Sequence, residues 1–202
     1  MNSIPCDIVL IPEDSVSKAA IDLSNSLRRH GTLFTLKEDE YFPHLSLYMA
    51  QLKVDDLPEV ESILKNIADS QTTVSLQPNE YHQEGGYIDI DYQKTDSMSA
   101  LQMTVIDSLN HIRDGLRQKD KDRLASAGGR ERDNIERYGY RSVGDLFEPH
   151  LTITRFKDPS PLNTASLADV HTFNASFVKL GIFEMGDNGT CVRKIAEFKL
   201  KA

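Results

Sequence analysis

The chain has 202 residues, 39% hydrophobic and 27% charged, with a formal net charge of -8. That length and composition suit one globular domain and exclude collagen-like, disordered and disulfide-scaffold classes. The acidic balance argues against coating of long double-stranded nucleic acid, which is driven by neutralising phosphates with Lys and Arg. Two cysteines, Cys6 and Cys191, are too few for a disulfide framework and fit a reducing compartment. No apolar run approaches a membrane span, and the N-terminus lacks a basic start followed by an apolar stretch. The expectation is a soluble, cytoplasmic, monomeric protein without a membrane partner.

In chain order, Asp7 to Ile11 reads as a short apolar strand. Asp14 or Ser15 is placed to cap a helix that carries Val16, Ala20, Leu23 and Leu27 on one face, and Gly31 sits where its C-cap belongs. Phe42 to Met49 is strand-like. A second helix starts near Asp56 and buries Leu57, Val60, Leu64 and Ile67. Thr73 to Tyr92 reads as two strands around Gly85-Gly86. A third helix carries Met98, Leu101, Val105, Leu109, Ile112 and Leu116. Arg117 to Arg141 holds eight basic and five acidic residues, a local charge of +3, and reads as a basic polar loop or flap. A strand runs from His150 to Phe156 and is ended by Pro159 and Pro161. Two last strands, Phe173 to Phe183 and Thr190 to Leu200, flank Gly186-Asp187-Asn188-Gly189, which is hairpin chemistry. Mixed helices and hairpin-joined strands predict an α+β fold with antiparallel sheets.

Two segments repeat one pattern, Pro43-His44-Leu45-Ser46-Leu47 and Pro149-His150-Leu151-Thr152-Ile153, with the histidines 106 residues apart. One such match arises by accident in roughly one chain in fifteen, and two with a preceding Pro in well under about one in ten thousand. Side chains alternate along a strand. His44 and Ser46 therefore share one face while Leu45 and Leu47 anchor the other, and His150 and Thr152 repeat this against Leu151 and Ile153. Two imidazoles can serve as base and acid. Two hydroxyls can donate to non-bridging phosphate oxygens. The set calls for no metal and no cofactor. A zinc site completed by His82, Asp89 or Asp91 lacks a supporting spacing.

Strict alternation puts Arg155 on the face opposite Thr152, so it reaches a phosphate only if the strand ends or bulges there. Tyr48 falls on the face of His44 and Ser46, as either a stacking residue or wall packing. Thr154 falls on the face of His150. Tyr138, Tyr140 and Arg141, just ahead of the second motif, are further candidates to enter the cleft.

The paired segments resemble the H-x-T/S motifs of the 2H phosphoesterase superfamily, which includes 2'-5' RNA ligase-like and 2',3'-cyclic phosphodiesterase-like proteins. The resemblance implies a single two-lobed domain over residues 1–202, with flanking helices, a central cleft and an internal pseudo-twofold. It implies a metal-independent phosphodiesterase acting on 2',3'-cyclic or 2'-5' bonds of a small nucleotide or RNA end. His44 and His150 carry over as the catalytic pair, Ser46 and Thr152 as phosphate binders, and Arg155 as the basic residue that often follows the second motif. The alternatives are a nucleotide-binding module without turnover and a ligase running the same transesterification toward a 2'-5' linkage.

Overall fold

The computed structural model describes residues 2–160 and 167–201; Pro161, one of the two expected strand breakers, lies outside them. Two antiparallel sheets carry the fold. The larger holds β1 (Ser3–Pro12), β2 (Leu45–Lys53), β3 (Val74–Leu76), β7 (Ala175–Met185) and β8 (Cys191–Lys199), in the order β2-β1-β7-β3 with β8 also on β7. The smaller holds β4 (Pro78–Glu84), β5 (Tyr87–Tyr92) and β6 (His150–Arg155) in that order. Each motif strand is thus an edge strand of its sheet, and β2 and β6 touch where the sheets meet.

Five α-helices flank the sheets among the described residues: α1 (Asp14–Leu27), α2 (Leu57–Ser70), α3 (Asp96–Leu109), α4 (Gln118–Leu124) and α5 (Gly129–Tyr138). The helices α1 to α3 bury the expected stripes, including Val16, Ala20 and Leu27, then Leu57, Val60, Leu64 and Ile67, then Met98, Leu101, Val105 and Leu109. Each fully buried Leu, Ile or Val contributes about 1.5–3 kcal/mol by leaving water. The core is continuous across both sheets, from Ile8 and Leu47 to Ile90 and Leu151.

Four expectations about elements need correction. Helix α1 starts one residue early, with Glu13 as N-cap and no side-chain cap, so Asp14 lies in the first turn, where a carboxylate faces the helix dipole. The stretch 73–92 makes three strands, because β3 leaves the hairpin to pair with β7. The stripe of α3 ends at Leu109, since the chain tightens into a 3₁₀ turn over Asn110–Ile112. Residues 117–141, read as a loop or flap, hold α4 and α5. The β4–β5 turn is as expected. Gly85 and Gly86 both have positive φ, at 56° and 88°, which a two-residue hairpin needs. A Cβ at Gly86 would also lie 2.9 Å from the Phe156 carbonyl oxygen.

Both motif strands carry a bulge at the same place. On β1, Val9 and Ile8 pair with Ser46 and Tyr48, skipping Leu47. On β5, Asp89 and Ile88 pair with Thr152 and Thr154, skipping Ile153. A bulge shifts the alternation by one residue. The freed Leu47 carbonyl accepts from buried Gln102 Nε2 at 3.1 Å, which ties α3 to the first motif.

Candidate active site

Each motif histidine is held in the same way. His44 Nδ1 lies 2.7 Å from the Phe42 carbonyl oxygen, and His150 Nδ1 lies 2.8 Å from that of Glu148. A carbonyl only accepts, so Nδ1 carries the proton in both rings and Nε2 is left for chemistry. The i to i−2 bond is local, made where the Pro-His step enters each strand.

Each motif hydroxyl also finds a carboxylate. Ser46 Oγ donates to Asp7 Oδ2 at 2.6 Å, and Thr152 Oγ1 donates to Asp89 Oδ1 at 2.6 Å. The match is functional, not strictly positional. Asp89 stands directly opposite Thr152, whereas Asp7 stands opposite Met49, two residues along β1 from Val9, which opposes Ser46. The sequence offers Asp89 only as a possible metal ligand and gives Asp7 no role. The available signal was an Asp within the otherwise apolar run Cys6 to Ile11.

Burial sets the charge states. Asp7 has no exposure, and its carboxyl is pushed up to about 7, against the Ser46 hydrogen bond and the positive charge of Arg117. His44 is pulled down to about 4, chiefly by burial, against its bond to Phe42 and with help from the charge of His150. His44 Nε2 lies 3.7 Å from Asp7 Oδ2, and burial disfavours the charged form of both groups. The coupling of His44 to His150 places the two rings within electrostatic reach.

Arg155 is corrected by the bulge. It returns to the side of Thr152, stacks on the Tyr87 ring at 4.7 Å and donates to Asn188 Oδ1 at 2.8 Å. Asn188 lines one depression together with His44 and Thr152. The same bulge removes Thr154 from the polar face, and the matching bulge in β2 removes Tyr48. Thr154 is buried and donates to the Phe34 carbonyl oxygen at 2.6 Å. Tyr48 has no exposure, and its hydroxyl donates to the Tyr138 carbonyl oxygen at 2.8 Å. Tyr48 is therefore core and not a stacking platform. Tyr140 packs edge-on against it at 6.2 Å and is also buried. Tyr138 lies under the guanidinium of Arg137, and Arg141 is exposed, 3.9 Å from Glu131.

The depression between the motifs has a cavity volume of about 10 Å³, enough for about one water. A larger cavity of about 360 Å³ lies away from the motifs, between α1 and residues 167–173. Asp7, His44 and Cys191 bring ligand-type atoms within 4.8 Å of one another. The trio mixes O, N and S donors as zinc sites do. Burial holds the Cys191 thiol well above its ordinary value and Asp7 up to about 7, so both resist the deprotonation a metal requires. His82 Nδ1 lies 3.8 Å from Asp91 Oδ2, an exposed pair apart from the trio.

Two antiparallel sheets meeting at paired His-x-Ser/Thr edges define a 2H phosphoesterase-like fold, and solved structures agree. TT0787 of Thermus thermophilus is similar with a TM-score of 0.61 at 12% identity, over 98% of this chain and 99% of that one. E. coli LigT complexed with 3'-AMP gives 0.60 at 10%, and a protein described as a phosphoesterase gives 0.62 at 10%, each over 100% of both chains. The chain belongs to the family described as protein of unknown function (DUF1045), whose model matches residues 49–179 and so includes the second motif. No curated protein matches the chain in sequence. Among the described residues no helix is long and apolar enough to cross a membrane.

Proposed function

We propose that the chain is a metal-independent phosphodiesterase that opens 2',3'-cyclic or 2'-5' phosphodiester bonds of a nucleotide or RNA end. The observation that carries this reading is the twin arrangement at the sheet seam. Each histidine is fixed through Nδ1 to a backbone carbonyl, with a hydroxyl two residues on. His44 is the base, since burial keeps it neutral and Nε2 holds a lone pair. It takes the proton of the attacking water as the new P–O bond forms. The bond to the leaving ribose oxygen breaks, and His150 Nε2 supplies that oxygen with its proton. Asp7, protonated up to about pH 7, adds no negative charge beneath the phosphate. Ser46 and Thr152 turn their hydroxyls from Asp7 and Asp89 toward the non-bridging oxygens as charge builds there. That LigT has been crystallised with 3'-AMP, phosphate and ATP supports a nucleotide-sized ligand for this fold.

The test is a product screen with 2',3'-cyclic mononucleotides and 2'-5'-linked dinucleotides. Turnover to a monophosphate that is lost in His44→Ala supports the reading. Nucleotide binding by calorimetry with no product after long incubation would instead make the chain a binding module.

A further inference from the structure

The segment 117–141, which holds α4 and α5, carries eight basic residues against five acidic ones. Arg117, Lys119, Arg123 and Arg141 lie together, with Asp120 and Glu131 among them. Asp120 is committed to Arg117, whose Nε donates to Oδ2 at 2.6 Å inside the protein. Glu131 is shared at long range, 3.6 Å from Arg123 and 3.9 Å from Arg141. That leaves Lys119, Arg123 and Arg141 facing solvent with one carboxylate among them. Partial burial and the guanidiniums of Arg123, Arg117 and Arg141 pull the Lys119 ammonium below its ordinary value. Like charges crowded at a surface are a cost that an anionic ligand would relieve.

The cluster lies within electrostatic reach of the candidate site at two points. Arg117 lies over the Tyr140 ring at 5.7 Å and contacts Met185 Sδ at 3.3 Å, and its charge reaches Asp7. At the other point, the charge of Arg123 reaches Tyr87. The Tyr87 ring carries Arg155, and its hydroxyl donates to the Asn188 carbonyl oxygen at 3.3 Å. Asn188 then lines the depression with His44 and Thr152. Asn188 and Arg155 thus join the histidines to Tyr87 by contact, and Arg123 on α4 lies within electrostatic reach of that ring.

We propose that Lys119, Arg123 and Arg141 form a subsite for a second anionic group of the substrate, a phosphate monoester carried at a distance from the phosphodiester. This rests on the phosphodiesterase reading for its place beside the histidines. The substrate class it names is a nucleotide or RNA end bearing an additional terminal phosphate. Glu131 acts as a placeholder that the phosphate displaces.

The experiment measures binding, so that it stands apart from turnover. Calorimetry compares adenosine 3',5'-bisphosphate with adenosine 3'-monophosphate. The wild type should bind the bisphosphate about tenfold more tightly, a gap that shrinks as salt rises. In the double variant R123Q/R141Q the preference should fall to about one. Glu131→Gln should widen it, a gain that a folding defect cannot imitate. Equal affinity of the wild type for both ligands overturns the subsite. So does a preference that survives in the double variant. Failure of the phosphodiesterase reading shows separately, as absence of product from 2',3'-cyclic mononucleotides and 2'-5'-linked dinucleotides.

Discussion

Ser46 Oγ donates to Asp7 Oδ2 at 2.6 Å, and that carboxyl has no exposure, lies 3.7 Å from His44 Nε2 and leaves Oδ1 without a hydrogen-bond partner among the described residues. A buried carboxyl in such a place is costly when ionised. Its folded value, about 7, lies above the ordinary 3.8. The folded chain then keeps a proton that the unfolded chain has lost between about pH 4 and 7, so stability falls as pH rises through that window. Asp7→Asn removes this loss. Thermal or urea unfolding should show the variant more stable than wild type at pH 8, by about 2 to 4 kcal/mol, with little gain at pH 4. A wild-type advantage at pH 8 would show Asp7 to be ionised and paired.

His44 works in the opposite sense. Its folded value of about 4 lies below the ordinary 6.5, so this contribution to stability is lost as pH falls between them. In the proposed mechanism the consequence is a base that stays neutral in mild acid. The acid limb of kcat/KM should fall well below pH 6, toward 4. A limb near 6.5 would mean that His44 is solvated in the working enzyme.

Tyr48 gives a test of the corrected placement. Tyr48→Phe removes a buried hydroxyl whose partners are the Tyr138 carbonyl and Asn110. It should cost about 1–3 kcal/mol in unfolding free energy and leave KM within about twofold, since the ring does not meet substrate. A tenfold rise in KM with unchanged stability would restore it as a stacking residue.

Metal independence is directly checkable. Dialysis against EDTA should leave activity unchanged. Loss of activity that zinc restores would make Asp7, His44 and Cys191 metal ligands.

The motif pair was legible because period-two alternation and a repeated Pro-His step are local properties. Alternation failed one residue later in both strands, at Tyr48 and at Thr154 and Arg155, because each strand bulges after its hydroxyl. Nothing in Leu47 or Ile153 announces a bulge; Gln102, from a distant helix, takes up the carbonyl that one of them frees. Asp7 escaped for a related reason. Its role depends on β1 lying beside β2, a pairing between segments about forty residues apart. The proposed division of roles rests on burial: His44 is enclosed while His150 is more open, a difference their near-identical local sequences do not contain.

The most direct measurement is hydrolysis of a 2',3'-cyclic mononucleotide by wild type, His44→Ala and His150→Ala, each checked for folding. The wild type should release a monophosphate, and each variant should lose a factor of about 10² to 10⁴ in kcat. Wild-type turnover by His150→Ala would contradict the two-histidine account.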